Sequence, residues 1–160
     1  MSSAPPTRRD ILLDTGPIVA TLDPRDQWHA ASIGAIERYA DRCITSEAVV
    51  TEACYFAGRS GGSGAVALHM LIELGIPIVS VEQRGLPTCA RLMDRYASVP
   101  MDFADATLVA LAEVFGINTV LTLDRRGFQA FRGTDGRAFD VVPALTAVPR
   151  GGNLRRPPYS

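Results

Sequence analysis

Five carboxylates carry the chemistry this chain can do. Asp102 and Asp105 open the stretch Met101–Glu113, MDFADATLVALAE, which is otherwise almost wholly apolar. Three residues apart, they share one face of a helix and fall in its first turn, where free N–H groups and the helix dipole favour negative charge. Either residue alone is equally explained as a helix cap. Asp14 and Asp124 each follow directly on a short apolar run, Ile11-Leu12-Leu13 and Thr119-Val120-Leu121-Thr122-Leu123. Glu52 stands among Val49, Val50, Ala53 and Cys54, on a helix whose apolar stripe would bury it in part, and a buried carboxylate needs a partner.

These positions matter because of the elements that hold them. Strands are expected at Ile11–Leu13, Cys43–Thr45, Ile76–Val81, Thr119–Leu123 and Phe139–Val142. Helices are expected at about Gln27–Tyr39, Glu47–Ala57 after a Ser46 N-cap, Ala65–Leu74, Leu86–Tyr96 and Asp102–Phe115, the last ended by Gly116. Gly16-Pro17 reads as a break in which the first strand feeds a turn. Strands alternating with helices predict an α/β fold with a mostly parallel sheet covered on both faces. Ligands bind such sheets at the carboxyl ends of the strands, where Asp14 and Asp124 lie. Carboxylates gathered there repel one another until protons or cations relieve them. Oxygen-only ligation favours Mg²⁺ or Mn²⁺ over zinc, and two such ions suit in-line displacement at a phosphodiester.

Composition excludes several alternatives. All 16 basic residues are arginine, so a P-loop lysine, a Schiff base and the lysine of aspartyl-phosphate sites are absent. An aspartyl phosphate on Asp14 is further disfavoured because no second acid stands two residues later. Gly58–Gly64, GRSGGSG, follows a helix rather than a strand and reads as a linker, not a phosphate cradle. His29 and His69 stand apart from other ligands and are assigned to surface or packing. Cys43, Cys54 and Cys89 form neither a disulfide framework nor a C-x-x-C motif and are read as thiols in the core.

A chain of 160 residues suits one domain, placed at 10–148, with a flexible tail at 1–9 and a basic one at 149–160. Five arginines lie in the tails, leaving eleven against all 17 acids in the body, a net charge of −6 there. Such a body argues against a plain electrostatic nucleic-acid binder and suits a site that holds divalent cations. No apolar run of about 18 residues and no secretory signal appear, so a soluble cytoplasmic protein without membrane association is expected.

LLDTGPIVA, VVTEACYF, PMDFADATLVALAE and LTLDRRGF, in that order, resemble the four acidic motifs of PIN-domain nucleases, and among these the VapC-type toxins of bacterial toxin–antitoxin pairs. The likeness spans Ile11–Pro143 and implies a three-layer α/β/α PIN-like fold. By this resemblance Asp14, Glu52, Asp105 and Asp124 match the metal-binding, catalytic acids, with Asp102 an additional acid at the rim of the same site. Asp14 and Asp105 are assigned the principal ion; Glu52 and Asp124 complete the cluster or position water. Thr15 and Thr122 occupy positions of hydroxyls that steady the metal, its water or a neighbouring acid. Arg125 and Arg126 are read equally as phosphate contacts and as ordinary surface residues. The resemblance implies an endoribonuclease dependent on Mg²⁺ or Mn²⁺ that cleaves RNA with a metal-activated water, forms a homodimer and is silenced by a cognate antitoxin. The competing reading is a non-catalytic PIN-like module that binds RNA or protein, against which the retained acids count.

Overall fold

Five short strands pair in the order β3-β2-β1-β4-β5, and every pairing is parallel. They are β1 (Ile11–Leu13), β2 (Cys43–Ser46), β3 (Ile78–Val79), β4 (Thr119–Leu121) and β5 (Asp140–Val142). The structure is a computed structural model and describes residues 8–143. The expected tail at 149–160, most of the one at 1–9 and the domain end at 148 lie outside those residues. Central β1 is buried along its whole length, which is why its sequence is continuously apolar rather than alternating. Just before it, Arg9 donates to the carbonyls of Ala40, Cys43 and Gly75.

Seven helices accompany the sheet among the described residues: α1 (Thr15–Leu22), α2 (His29–Tyr39), α3 (Glu47–Arg59), α4 (Ala65–Glu73), α5 (Leu86–Arg95), α6 (Phe103–Phe115) and α7 (Arg125–Ala130). The three-layer α/β/α arrangement expected from the sequence is the one observed. Helix α6 is buried from Ala104 to Ala112 and ends on Gly116, whose φ of 64° is the left-handed conformation glycine adopts at least cost. Ser46 caps α3 as expected, its hydroxyl accepting from Val49 N at 3.1 Å. His29 Nδ1 lies 2.8 Å from the Ala20 carbonyl, joining α2 to α1 as a packing residue. All three cysteines are free; Cys43 and Cys89 are buried, and burial pushes the Cys43 thiol up to about 12. No helix among the described residues is long and apolar enough to cross a membrane.

Three local expectations are corrected. The break at Gly16-Pro17 is instead the first turn of α1, which starts directly after Asp14. Pro17 is its third residue, where the missing N–H is one of the donors a helix leaves unbonded anyway. The strand expected over Ile76–Val81 shrinks to two residues at the sheet edge, because Pro77 has no N–H to offer the ladder. The third lies just after Asp124, where the sequence predicts no helix and α7 forms. It is short and held by Phe128 and Phe131, fully buried and meeting edge to face at 5.3 Å, with Tyr96 and Phe139 completing the cluster.

Candidate active site

Parallel pairing brings the carboxyl ends of β1 and β4 side by side, with Leu13 opposite Leu121, and Asp14 and Thr122 are the next residues along. Asp14 is buried at the N-terminus of α1. Its Oδ1 accepts from Thr15 N at 2.7 Å and its Oδ2 from Thr122 Oγ1 at 2.6 Å. The Thr122 oxygen in turn accepts from Asp124 N at 2.9 Å. A fully buried hydroxyl therefore couples the acid after β1 to the backbone of the acid after β4. Asp124 caps α7, accepting from Gly127 N at 3.1 Å.

Asp102 and Asp105 form a reciprocal capping box. Asp105 N donates to Asp102 Oδ1 at 2.8 Å, and Asp102 N to Asp105 Oδ2 at 3.3 Å. The capping and chemical readings of this pair are thus not exclusive: each residue spends one oxygen on the cap, and the Asp102 side chain also reaches Glu52. Behind them, Ser46 Oγ and Thr107 Oγ1 meet at 2.7 Å, and Thr107 also donates to the Ala104 carbonyl at 2.6 Å. This buried bridge ties the start of α3 to the start of α6, and Glu52 on α3 lies within reach of Asp102 at the cap of α6.

Electrostatics link the acids through Asp14 and Asp102: Asp105 and Glu52 each feel both, and Asp124 acts on Asp14 and Asp105. Burial raises Asp105 from its ordinary 3.8 to about 9, and the charges of Asp14, Asp102 and Asp124 push the same way, against the Asp102 backbone N–H. Asp105 therefore lies within electrostatic range of Asp14. Burial raises Glu52 to about 7, helped by Asp102 and Asp14 and opposed by the nearby Thr15 hydroxyl. Asp14 rises to about 6, again chiefly by burial and by the charges of Asp102 and Asp124, while the hydrogen bonds from Thr122 and Thr15 hold it lower. Anions gathered against their own desolvation are a signature of functional sites.

No group of three or more His, Cys, Asp or Glu side chains among the described residues stands as a closed metal-ligand set. Each capping aspartate spends an oxygen on a backbone or hydroxyl donor. The donors nevertheless fit a hard divalent cation, being all oxygen with no thiol or imidazole among them. Thr15 Oγ1, buried beside Glu52, completes no hydrogen bond of good geometry, so the site keeps a polar atom to offer a further ligand. Arg125 is turned away, its Nη1 donating to the Pro143 carbonyl at 3.0 Å, whereas Arg126 is exposed.

The family profile of the PIN domain matches residues 11–133, the span that contains all five acids. The chain belongs to the PIN-domain family. Among curated PIN-type proteins it is similar to Ribonuclease VapC26 of Mycobacterium tuberculosis, with 33% identity over 136 residues that cover 83% of this chain and 100% of the relative. Among solved structures it resembles Mycobacterium tuberculosis VapC20, a sarcin–ricin-loop-cleaving toxin. The TM-score is 0.59 at 21% identity, covering 69% of this chain and 86% of that one. It also resembles PAE2754 of Pyrobaculum aerophilum, with a TM-score of 0.54 at 18% identity over 85% and 92% of the two chains. At these identities the structural likenesses speak for the PIN fold alone.

Two residues of this PIN site went unread in the sequence. Thr107 was visible as a hydroxyl inside an apolar helix. Gly127 was not, because its role is steric. A Cβ there would overlap Asp124 Oδ2 and lie 3.1 Å from both Asp124 Cγ and the ring of Phe131. Phe131 is fully buried and cannot yield, so the carboxylate must. Gly127→Ala is expected to lower kcat for RNA cleavage about 10- to 100-fold, as misplacing a positioned group does. Overpacking should cost about 1–3 kcal/mol of stability. Steady-state kinetics beside thermal melts check this; wild-type kcat in the variant would show that Asp124 tolerates displacement.

Proposed function

We propose that this PIN-domain chain is a divalent-metal-dependent endoribonuclease of VapC type, the toxin of a toxin–antitoxin pair. The observation that carries the reading is the convergence of Asp14, Glu52, Asp102, Asp105 and Asp124 from four separate elements, with three of them pushed toward neutrality. The full-length similarity to a ribonuclease supports the substrate class.

Asp14 and Asp105 would hold the principal Mg²⁺ or Mn²⁺, with Glu52 and Asp124 completing the set and Asp102 at its rim. A bound divalent ion supplies activation of water and stabilisation of charge on the phosphodiester. The chain's own contribution is positional. Thr122 fixes the Asp14 carboxylate and the Asp124 backbone through one hydroxyl, so the two acids keep their spacing. The capping box presents Asp105 from a helix start, and the Ser46–Thr107 bridge holds α3 and its Glu52 in step with it. Glu52, part-buried beside Thr15 and Asp102, would complete the set or position the attacking water. Hydrolysis proceeds by direct attack of water at phosphorus, with no covalent enzyme intermediate.

The same reading makes residues 10–148 one nuclease domain, places the protein in the cytosol, and gives it a cognate antitoxin and a second copy of itself as partners. Purified chain free of antitoxin should cleave total RNA with Mn²⁺ or Mg²⁺, and EDTA should stop it. Neither cleavage nor divalent-ion binding by calorimetry would overturn the proposal.

A further inference from the structure

An apolar cleft of about 660 Å³ opens beside the carboxylates and shares Glu52 and Asp102 with them. Along α3 it is lined by Ala48, Thr51 and Tyr55, and across from them by Phe103 and Ala104 at the start of α6. Two large aromatic side chains stay in water here: Tyr55 is 58% exposed and Phe103 44%. The Tyr55 ring meets Phe56 edge to face at 5.3 Å, and Phe103 follows Asp102, whose backbone is locked in the capping box. Arg59 lies over the Tyr55 ring, 5.6 Å from its centroid, and donates to its hydroxyl at 3.4 Å. Glu52, Tyr55 and Arg59 therefore follow one another at three- and four-residue spacing, an acid, an aromatic and a cation along one face of α3.

We propose that this cleft is a base-stacking subsite, which takes an unpaired nucleobase of the RNA next to the cleaved phosphodiester and holds it against Tyr55 and Phe103, while Arg59 meets a neighbouring phosphate. The inference rests on the nuclease reading and deepens it. Charge decides which part of a nucleotide enters. Glu47, Glu52 and Asp102 border the cleft and repel phosphate, so its occupant is the uncharged base. Phosphate is left to Arg59, the cation that lies over the Tyr55 ring. Aromatic faces stack on any base, so the subsite reads little sequence, but a base can reach it only when unstacked and unpaired. The substrate class is therefore RNA cut at a loop or single strand.

The test begins by mapping a cleavage site on total RNA, then uses a short RNA that carries it. Tyr55→Ala and Phe103→Ala should each raise KM about 5- to 150-fold, the range that stacking energies imply, with a far smaller fall in kcat. Tyr55→Phe keeps the ring and should restore a near-wild-type KM. In the Asp14→Asn background, where the RNA stays intact, 2-aminopurine beside the scissile bond should be quenched on binding and released from quenching by adding Tyr55→Ala. Pairing the site with a complementary strand should protect it. Wild-type KM in both alanine variants, or undiminished cutting of the duplex, overturns the subsite while leaving the nuclease intact. Unchanged KM joined to loss of a protein partner's binding would assign the cleft to that partner and also overturn it. Absence of cleavage by the wild type overturns the nuclease reading itself.

Discussion

Asp14→Asn lowers the single-turnover rate of RNA cleavage by about 10³-fold or more while leaving the fold intact, because it removes charge from the centre of the site without changing its shape. Asn Oδ1 can still accept from Thr15 N, and its amide can donate to Thr122 Oγ1, which already accepts from Asp124 N. The one local loss is the acceptor for the Thr122 hydroxyl hydrogen. The charge loss should outweigh that: with Asp14 neutral, four acids remain and the affinity for a divalent ion drops. Thermal melts in EDTA should show a variant at least as stable as the wild type. Cleavage within about tenfold of wild type would remove Asp14 from the centre of the mechanism, since losing even one positioned stabilising group costs more.

The second large effect is on stability, and its sign follows from the raised acids. In the unfolded chain these carboxyls lose their protons near pH 4, whereas in the fold Asp14 retains its proton to about 6, Glu52 to about 7 and Asp105 to about 9. Between those limits the folded state binds more protons than the unfolded one. Their contribution is fully present below the unfolded values and is lost as pH rises through the folded ones. The melting temperature in EDTA should therefore fall from pH 5.5 to pH 8. Mn²⁺ competes with the same protons, so it should raise the melting temperature more at pH 8 than at pH 5.5 and release protons on binding. Calorimetry in buffers of different ionisation heat reads that release directly.

Asp105→Asn separates the two contributions. It replaces the neutral acid by a neutral isostere that still accepts from Asp102 N, and so should melt several degrees higher in EDTA at pH 8. About 2–4 °C is expected for each kcal/mol in a domain of this size. It should also lose most of the metal-induced increment. A variant that melts lower than wild type at pH 8, or a wild type that gains stability from pH 5.5 to pH 8 in EDTA, would show that Asp105 is charged and satisfied rather than held neutral. Natural sites that trade stability for activity behave in the predicted way.

Much of the fold was legible because it rests on local patterns. The buried runs at Ile11–Leu13 and Thr119–Leu121, the Ser46 cap and the Gly116 stop each depend on a few adjacent residues. The misread places depend on context instead. Gly16-Pro17 looks like a breaker until Asp14 is seen to start a helix in which proline's missing N–H costs nothing. Helix α7 is six residues long and exists because Phe128 and Phe131 are held by an aromatic cluster assembled from distant parts of the chain.

The candidate acids divide in the same way. Residue type and position by themselves determined which carboxylates were available, that Asp14 and Asp124 would follow strands while Asp102 and Asp105 opened a helix, and that an all-oxygen site would follow if they met. Whether they met was a tertiary matter. Parallel pairing of β1 with β4 sets Asp14 beside Thr122, and the Ser46–Thr107 bridge joins α3, which carries Glu52, to the start of α6 with Asp102 and Asp105. Burial then turns ordinary carboxylates into groups that hold protons near neutral pH. That change comes from excluding water and stacking like charges across more than a hundred residues of sequence, and no single stretch of the chain contains both members of any such pairing except Asp102 and Asp105.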